Sequence, residues 1–525
     1  MNNSGQNGAQ PYYITTSIPY VNAKPHLGHA LEFVLTDALA RYQRWRGAKV
    51  RFQSGSDENS LKNVQAAERE GLPVQALVER NAAQFYALRQ SLCLSFDDFI
   101  RTSSEARHLV GVRKLWQACA QSGDIYKKAY RGLYCVGCEQ FYNESELVEG
   151  LCPQHGTPPE VVEEENYFFR LSRYADALAR LIETDQLRLL PLTRKNEVLS
   201  FIRAGLHDFS ISRSQARAHG WGVPVPDDPT QVMYVWFDAL GNYITALDYA
   251  TESHLYQTFW RDNPRRVHVI GKDITRFHAI YWPAMLLSAG VPLPSEILIH
   301  GFITLAGGKV SKSRGNVIDP VDLAQTYGVD TLRYYLLAEI KASEDGDFTL
   351  ARFIEAHNAN LADQLGNLLS RWLGMVGRYY DGIVPAPPAM TAAEAPLRQT
   401  AETLGERIDE ALARFAPHEA LAAIWALIGA ANRYVAEVKP WHLAHDRERN
   451  PTAEAQLATT LYTIAETLRL VACYLSPFLP TSAEAISRQL GLSRPGAAAW
   501  GGYPPGTTVR PGPLLFPKLS GPDQA

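Results

Sequence analysis

Six cysteines in 525 residues are too few to staple a chain of this size, and three of them lie close to one another and to a histidine. That excludes a disulfide scaffold, and a reducing, cytoplasmic setting is expected. The first 23 residues contain no Lys, Arg, Asp or Glu, so the basic start of a secretory signal and the Arg-rich face of a transit peptide are both missing. No run approaches the roughly 20 apolar residues that span a bilayer, and no membrane partner is expected. An excess of positive charge is lacking too: 51 Lys and Arg stand against 55 Asp and Glu, a formal charge of −4. Any surface for a polyanion must therefore be local. The sequence has no internal repeat.

What is present is ample apolar material, 46% hydrophobic against 20% charged, in a length that calls for roughly two to four domains. Residues 1–11 are polar and read as a tail. Tyr12 to Ile18 reads as a buried strand, followed by a Pro/Asn turn and an amphipathic helix from near His26, with Leu31, Val34, Leu35 and Leu39 on its apolar side. Strand, turn and helix recur through residue 120, the alternation of a parallel α/β sheet. Residues 121–223, turn-rich and Cys-containing, interrupt it as an insertion. Alternation resumes over 224–294, at Met233 and in Val267 to Gly271, so the sheet domain is split in sequence. Residues 295–351 contain a strand candidate, Ile297 to Phe302, a Gly/Lys/Ser loop from Gly307 to Asn316, and a helix entry at Asp319-Pro320. From 352 to 495 the pattern becomes long helices, with Leu361, Leu365, Leu368, Leu369, Trp372 and Val376 on one face, as in a helix bundle. The Gly/Pro-rich residues 496–525 form an extended tail.

His26-Leu27-Gly28-His29 stands where the first strand has ended and a helix begins, a position whose free N–H groups and dipole favour phosphate. Glycine permits close backbone approach, and two imidazoles three apart can both donate to phosphate oxygens. Lys309-Val310-Ser311-Lys312-Ser313 places two ammonium groups on a Gly-preceded loop, suited to charge that develops on a leaving phosphate. In this order, on either side of an insertion, the two motifs resemble the HIGH and KMSKS signatures of class I aminoacyl-tRNA synthetases. Val310 departs from the usual Met. The resemblance implies a Rossmann-like catalytic domain over 1–120 and 224–294. It also implies ATP held by His26, Gly28, His29, Gly271, Lys272, Asp273, Lys309, Ser311 and Lys312, with Mg2+ accompanying the ATP. His26, His29, Lys309 and Lys312 would be catalytic.

Three further stretches are similar to the methionyl-tRNA synthetase family: Ser17 to Asn22, Tyr234 to Leu240 with Tyr243, and Gly271 to Ile274 with Phe277, His278 and Trp282. Ile18, Tyr20, Trp236, Ala239, Tyr243, Ile274, Phe277 and His278 offer the apolar and aromatic walls that an unbranched thioether requires. Asp57 matches the family carboxylate for the substrate α-ammonium. Asn59 and Ser60 depart from the His-Gly common in bacterial relatives.

Cys135-x2-Cys138 and Cys152-x2-His155 give two ligand pairs in spacing that favours one closed, structural zinc site. The resemblance makes this a zinc knuckle of one-knuckle form in the insertion. In the bundle, Asn360, Gln364, Asn367 and Arg371 form a polar stripe. By the same resemblance, Asn367 and Arg371 face the anticodon of tRNA(Met), and Trp441 is the aromatic on which an anticodon base stacks. Amide and guanidinium groups beside such a platform suit a splayed single strand. Residues 295–351 then form the KMSKS-loop and stem-contact region, 352–495 the anticodon-binding bundle. The extra C-terminal domain of dimeric relatives is not found, and a monomer is expected. Synthetases for leucine, isoleucine and valine carry a larger editing insertion than 121–223, and the cysteine enzyme puts zinc at its substrate. A scaffold that had lost catalysis would not need His26, His29, Lys309 and Lys312, and a small-molecule adenylyltransferase would not need the bundle. The expected activity is ATP-dependent joining of L-methionine to tRNA(Met).

Overall fold

The computed structural model describes residues 9–135, 137, 140–142, 144–305, 308–309, 318–388 and 393–520. The chain divides into two units, the first drawn mainly from residues up to His300 and the second from Gly301 onward. The second also takes in Asp37–Tyr42 and Ser91–Cys93.

In the first unit six parallel strands form one sheet, in the order Asp98–Arg101, Lys49–Ser56, Pro11–Thr16, Arg266–Gly271, Glu296–His300, Arg188–Leu190. Apolar residues such as Ile14, Phe52, Val269, Ile270 and Ile297 are buried on it, as a sheet covered on both faces requires. From Pro11–Thr16 the chain first adds strands to one side, then returns to add Arg266–Gly271 on the other. Between these two strands the winding order reverses, and ligands of open α/β sheets bind beyond the carboxyl ends at such a point. Helix Leu27–Trp45 follows the first strand. It begins one residue after His26, and Leu31, Val34, Leu35 and Leu39 are buried as expected.

Residues 121–223 carry an antiparallel sheet ordered Gln140–Tyr142, Ile125–Cys135, Glu160–Phe169, Phe209–Ser210. They also return one strand, Arg188–Leu190, to the edge of the main sheet. Its three residues are too short to show a strand pattern in sequence.

The second unit opens with a small sheet, Gly308–Lys309, Ile303–Leu305 and Gly346–Phe348. Helix Pro320–Tyr327 is capped by Asp319, whose side chain accepts from the Val321 amide at 2.8 Å. Long helices follow, and Leu361, Leu365, Leu368, Leu369, Trp372 and Val376 are all buried. Residues Pro417–Asp446 are long and apolar enough to cross a membrane by composition, but Leu421, Ile424, Leu427 and Ile428 are buried inside the bundle. The Asp37 and Arg333 side chains, both fully buried, pair at 2.8 Å. Glu466 accepts from the amides of Gly501, Gly502 and Tyr503 at 2.7, 3.1 and 2.8 Å, which fixes the tail segment there.

Candidate active site and helical face

The carboxyl edge of the main sheet collects the first group of residues. Beyond Pro11–Thr16 come Ser17, Ile18 and Tyr20; beyond Lys49–Ser56 comes Asp57, bridged to Tyr20 and donating its amide to Pro19 O at 2.9 Å. Gly55 has no room for a side chain: a Cβ there would stand 2.4 Å from Ile100 O and 3.0 Å from Ile18 Cγ2. At the start of the long helix the His26 and His29 rings stack at 3.7 Å, with His29 edge-on to Phe85 at 5.0 Å. His29 Nδ1 accepts from the His26 amide at 3.1 Å, and His26 Nδ1 from the Gly28 amide at 3.1 Å. Both rings therefore keep Nε2 as the hydrogen-bearing, donating nitrogen in their neutral forms. They remain half-buried.

The aromatic residues come together as one packed cluster. Trp236 lies on the short helix Val235–Leu240, with Ala239 one turn on. Its ring stacks on Phe277 at 3.8 Å with 4° between planes, and stands edge-on to Tyr20 at 6.3 Å and His278 at 6.1 Å. Phe277 and His278 belong to a π-helical turn, Phe277–Tyr281, a feature frequent at functional sites. His278 Nδ1 lies 3.0 Å from the Ile274 carbonyl oxygen, which can only accept. Nδ1 thus carries the hydrogen, and Nε2 accepts from the Tyr243 hydroxyl at 2.6 Å. Burial lowers His278 to about 4 and holds the ring neutral; burial, with the Glu32 charge second, raises the Tyr243 phenol well above its ordinary value. Trp236 Nε1 is buried with no hydrogen-bond partner among the described residues. A buried donor left in that state costs free energy, which a polar atom of a bound molecule would recover.

Gly271, at the end of its strand, is buried, Lys272 half-buried and Asp273 exposed. A Cβ on Gly271 would meet Asp273 Oδ1 at 3.0 Å. Lys309 is placed through its backbone only, as the partner of Thr304; Val310, Ser311 and Lys312 lie outside the described residues.

Several supporting residues escape sequence reasoning. Glu32 accepts from the Ser17 amide and hydroxyl at 2.7 and 2.6 Å and faces His300 Nε2 at 2.9 Å, tying two strand ends to the helix. Its only signal is a carboxylate between the buried Leu31 and Phe33. Asp238, buried on the Trp236 helix, faces His108 Nε2 at 2.6 Å and accepts from Asn59 Nδ2 at 2.6 Å. Asn59 thus holds a pocket element in place, and Ser60 caps helix Leu61–Glu70, accepting from the Lys62 amide at 3.0 Å.

In the insertion, Cys135 Sγ, Cys152 Sγ and His155 Nδ1 lie within 4.8 Å of one another. Each sulfur is 3.8–3.9 Å from the His155 nitrogen; a tetrahedral zinc with ordinary bond lengths sets such an edge at about 3.6 Å. A Cβ at Gly137 would sit 2.7 Å from the His155 ring, so glycine leaves the ring its space. Cys138 lies outside the described residues.

In the second unit, Asn367 and Arg371 are exposed on helix Asn367–Tyr380. Arg371 Nη2 donates to Asn432 Oδ1 at 3.1 Å. Trp441, 43% exposed, opens helix Pro440–Asp446 and lines a groove with Arg371. Asn360 and Gln364 fall on a π-helical stretch, His357–Gly366, where Gln364 Nε2 donates to Asn360 Oδ1 at 3.1 Å.

The family model described as tRNA synthetases class I (M) matches residues 12–158 and 146–373. A methionine-tRNA ligase of Mycobacterium bovis is 44% identical over 98% of this chain and 99% of its own length. One of Brucella suis is 46% identical over 90% of each. The solved structure of Mycobacterium tuberculosis methionyl-tRNA synthetase in complex with methionyl-adenylate is similar at a TM-score of 0.92 and 44% identity, covering 97% of this chain and 100% of that one. A family model spanning both sides of the sheet's reversal, and relatives similar from end to end, establish that the chain belongs to the methionine-tRNA ligase family of class I tRNA synthetases.

Proposed function

We propose that this chain carries out the reaction its family is named for: it joins L-methionine to ATP, releasing pyrophosphate, and passes the methionyl group to tRNA(Met). The observation that carries the assignment is the aromatic box of Tyr20, Trp236, Phe277, Tyr243 and His278 at the carboxyl edge, beside the switch point and the His26–His29 helix start. The box, with Ile18, Ala239 and Ile274, takes the thioether side chain. Asp57 holds the α-ammonium. A carboxylate oxygen of methionine attacks the α-phosphorus of ATP, and the bond to the β-phosphate breaks. The positive end of the helix dipole and the Nε2 hydrogens of His26 and His29 stabilise the phosphate oxygens. Gly271 admits the nucleotide close to the backbone, with Lys272 and Asp273 beside it. Lys309, Ser311 and Lys312 neutralise the departing pyrophosphate. Mg2+ enters with ATP as part of that substrate.

Cys135, Cys138, Cys152 and His155 would hold one structural zinc, which supplies folding free energy to the insertion and leaves no open position for chemistry. The groove beside Arg371 and Trp441, with Asn367, receives the anticodon. The protein acts as a cytoplasmic monomer without a membrane partner. The test is Trp236→Ala assayed by pyrophosphate exchange: KM for methionine rises at least about tenfold, equivalent to ~1.4 kcal/mol of lost apolar wall, while KM for ATP holds. A change confined to ATP overturns the assignment of the box.

A further inference from the structure

Helix Asn367–Tyr380 contains a glycine that its own fold does not explain. Gly374 is exposed in the helix interior, and a Cβ built on it meets nothing within 4 Å. Glycine destabilises a helix interior relative to alanine, and no neighbouring group here demands the missing side chain. Gly374 lies on the floor of the Trp441 groove, with Arg371 one turn before it and Arg378 one turn after. Met375, Tyr379 and Val435 complete the lining, which has two guanidinium groups, two aromatic rings and no carboxylate. Arg378 has no hydrogen bond or ion pair among the described residues. Gly377, also exposed and also free of neighbours at its Cβ position, lies off the groove.

A bare helix floor between two cations, beside an exposed tryptophan, fits a flat, anionic, unstacked occupant: a single nucleotide of a splayed RNA loop. The base finds a π-face on Trp441 and the phosphates find Arg371 and Arg378. We infer that Gly374 is a binding position for the tRNA, kept without a side chain so that one anticodon-loop nucleotide can seat against the helix between Arg371 and Arg378. The inference rests on the assignment of this groove to the anticodon.

The experiment compares Gly374→Ala, Gly377→Ala and Trp441→Ala in the full chain. It measures thermal unfolding and the KM for a tRNA(Met) transcript, each charging rate being taken relative to the same preparation's pyrophosphate exchange. Both glycine variants should gain about 2 °C in Tm. Gly374→Ala should raise the tRNA KM at least about fivefold, as loss of one stacked base does, while Gly377→Ala leaves it unchanged. A lower Tm for Gly374→Ala would mean that the fold itself needs the glycine, and overturns the inference. So does an unchanged tRNA KM for Gly374→Ala when Trp441→Ala raises it, with the groove's assignment left standing. If Trp441→Ala also leaves charging unchanged, the assignment of the groove fails and takes the inference with it.

Discussion

At the scale of single residues, the pocket is defined by protonation as much as by shape. The Ile274 carbonyl sets the His278 tautomer, and the ring then accepts from Tyr243. Protonating His278 would turn Nε2 into a second donor facing the Tyr243 hydroxyl and break that arrangement. Burial lowers His278 from its ordinary 6.5 to about 4, and lowers His268, which Thr15 and Trp282 contact, well below 6.5. The unfolded chain takes up these protons as pH falls through 6.5, whereas folded His278 resists until about 4. Stability is therefore full above pH 6.5 and is lost between 6.5 and 4, on the order of 3 kcal/mol for His278. Thermal unfolding followed from pH 7 to 4.5 should show this loss, and His278→Gln should make it shallower. An identical slope in the variant would contradict the assignment. Much of this chemistry was legible in sequence as a list of aromatic residues. Glu32, Asp238, His108 and His300 were not, because each acts through a partner at least 15 positions away, and a lone carboxylate or imidazole in an apolar run does not name that partner.

At the scale of elements, periodicity identified the first strand, the helix after the His motif and the leucine face of the bundle, because each repeats a local rule over several residues, while the Asp-Pro pair alone marked the Asp319 cap. The π-helical turns carrying His278 and Asn360 could not be read that way, since a single inserted residue changes the register without any local composition signal. The edge strand Arg188–Leu190 escaped because its place depends on pairing with Glu296–His300, far along the chain. The insertion brings together, from separate short elements, a group of side chains that could hold a metal. Strand Ile125–Cys135 ends in one ligand, and the loop before Glu160–Phe169 supplies Cys152 and His155. Among the described residues, Cys135, Tyr142 and Cys152, with Leu147, form a small apolar cluster there. Elemental analysis of the purified protein should find one zinc. Chelation should raise amide exchange first in the knuckle and the adjoining strands, since metal binding contributes about 10–16 kcal/mol in isolated zinc-finger peptides. Unchanged protection in metal-free protein would refute the structural role.

At the scale of the whole molecule, the proposed site residues are divided between the two units of the chain. The first unit holds the aromatic box, Asp57 and the His26–His29 helix start; the second holds Lys309 and the helical face of Arg371 and Trp441. Helix Leu27–Trp45 contributes to both, its first half to one unit and Asp37–Tyr42 to the other. The near absence of net charge, −4 over 525 residues, leaves any polyanion surface to be local, and the groove proposed for the tRNA carries two such cations, Arg371 and Arg378. Everything else depends on the claim that the box selects methionine. ATP-pyrophosphate exchange of the unaltered protein with each of the common amino acids in turn tests it most directly. Exchange should be strongest with methionine and require Mg-ATP, with weak activity toward near analogues, because one methylene in an apolar pocket discriminates by only about 1–3 kcal/mol. Strong exchange with leucine or isoleucine and none with methionine would contradict the account.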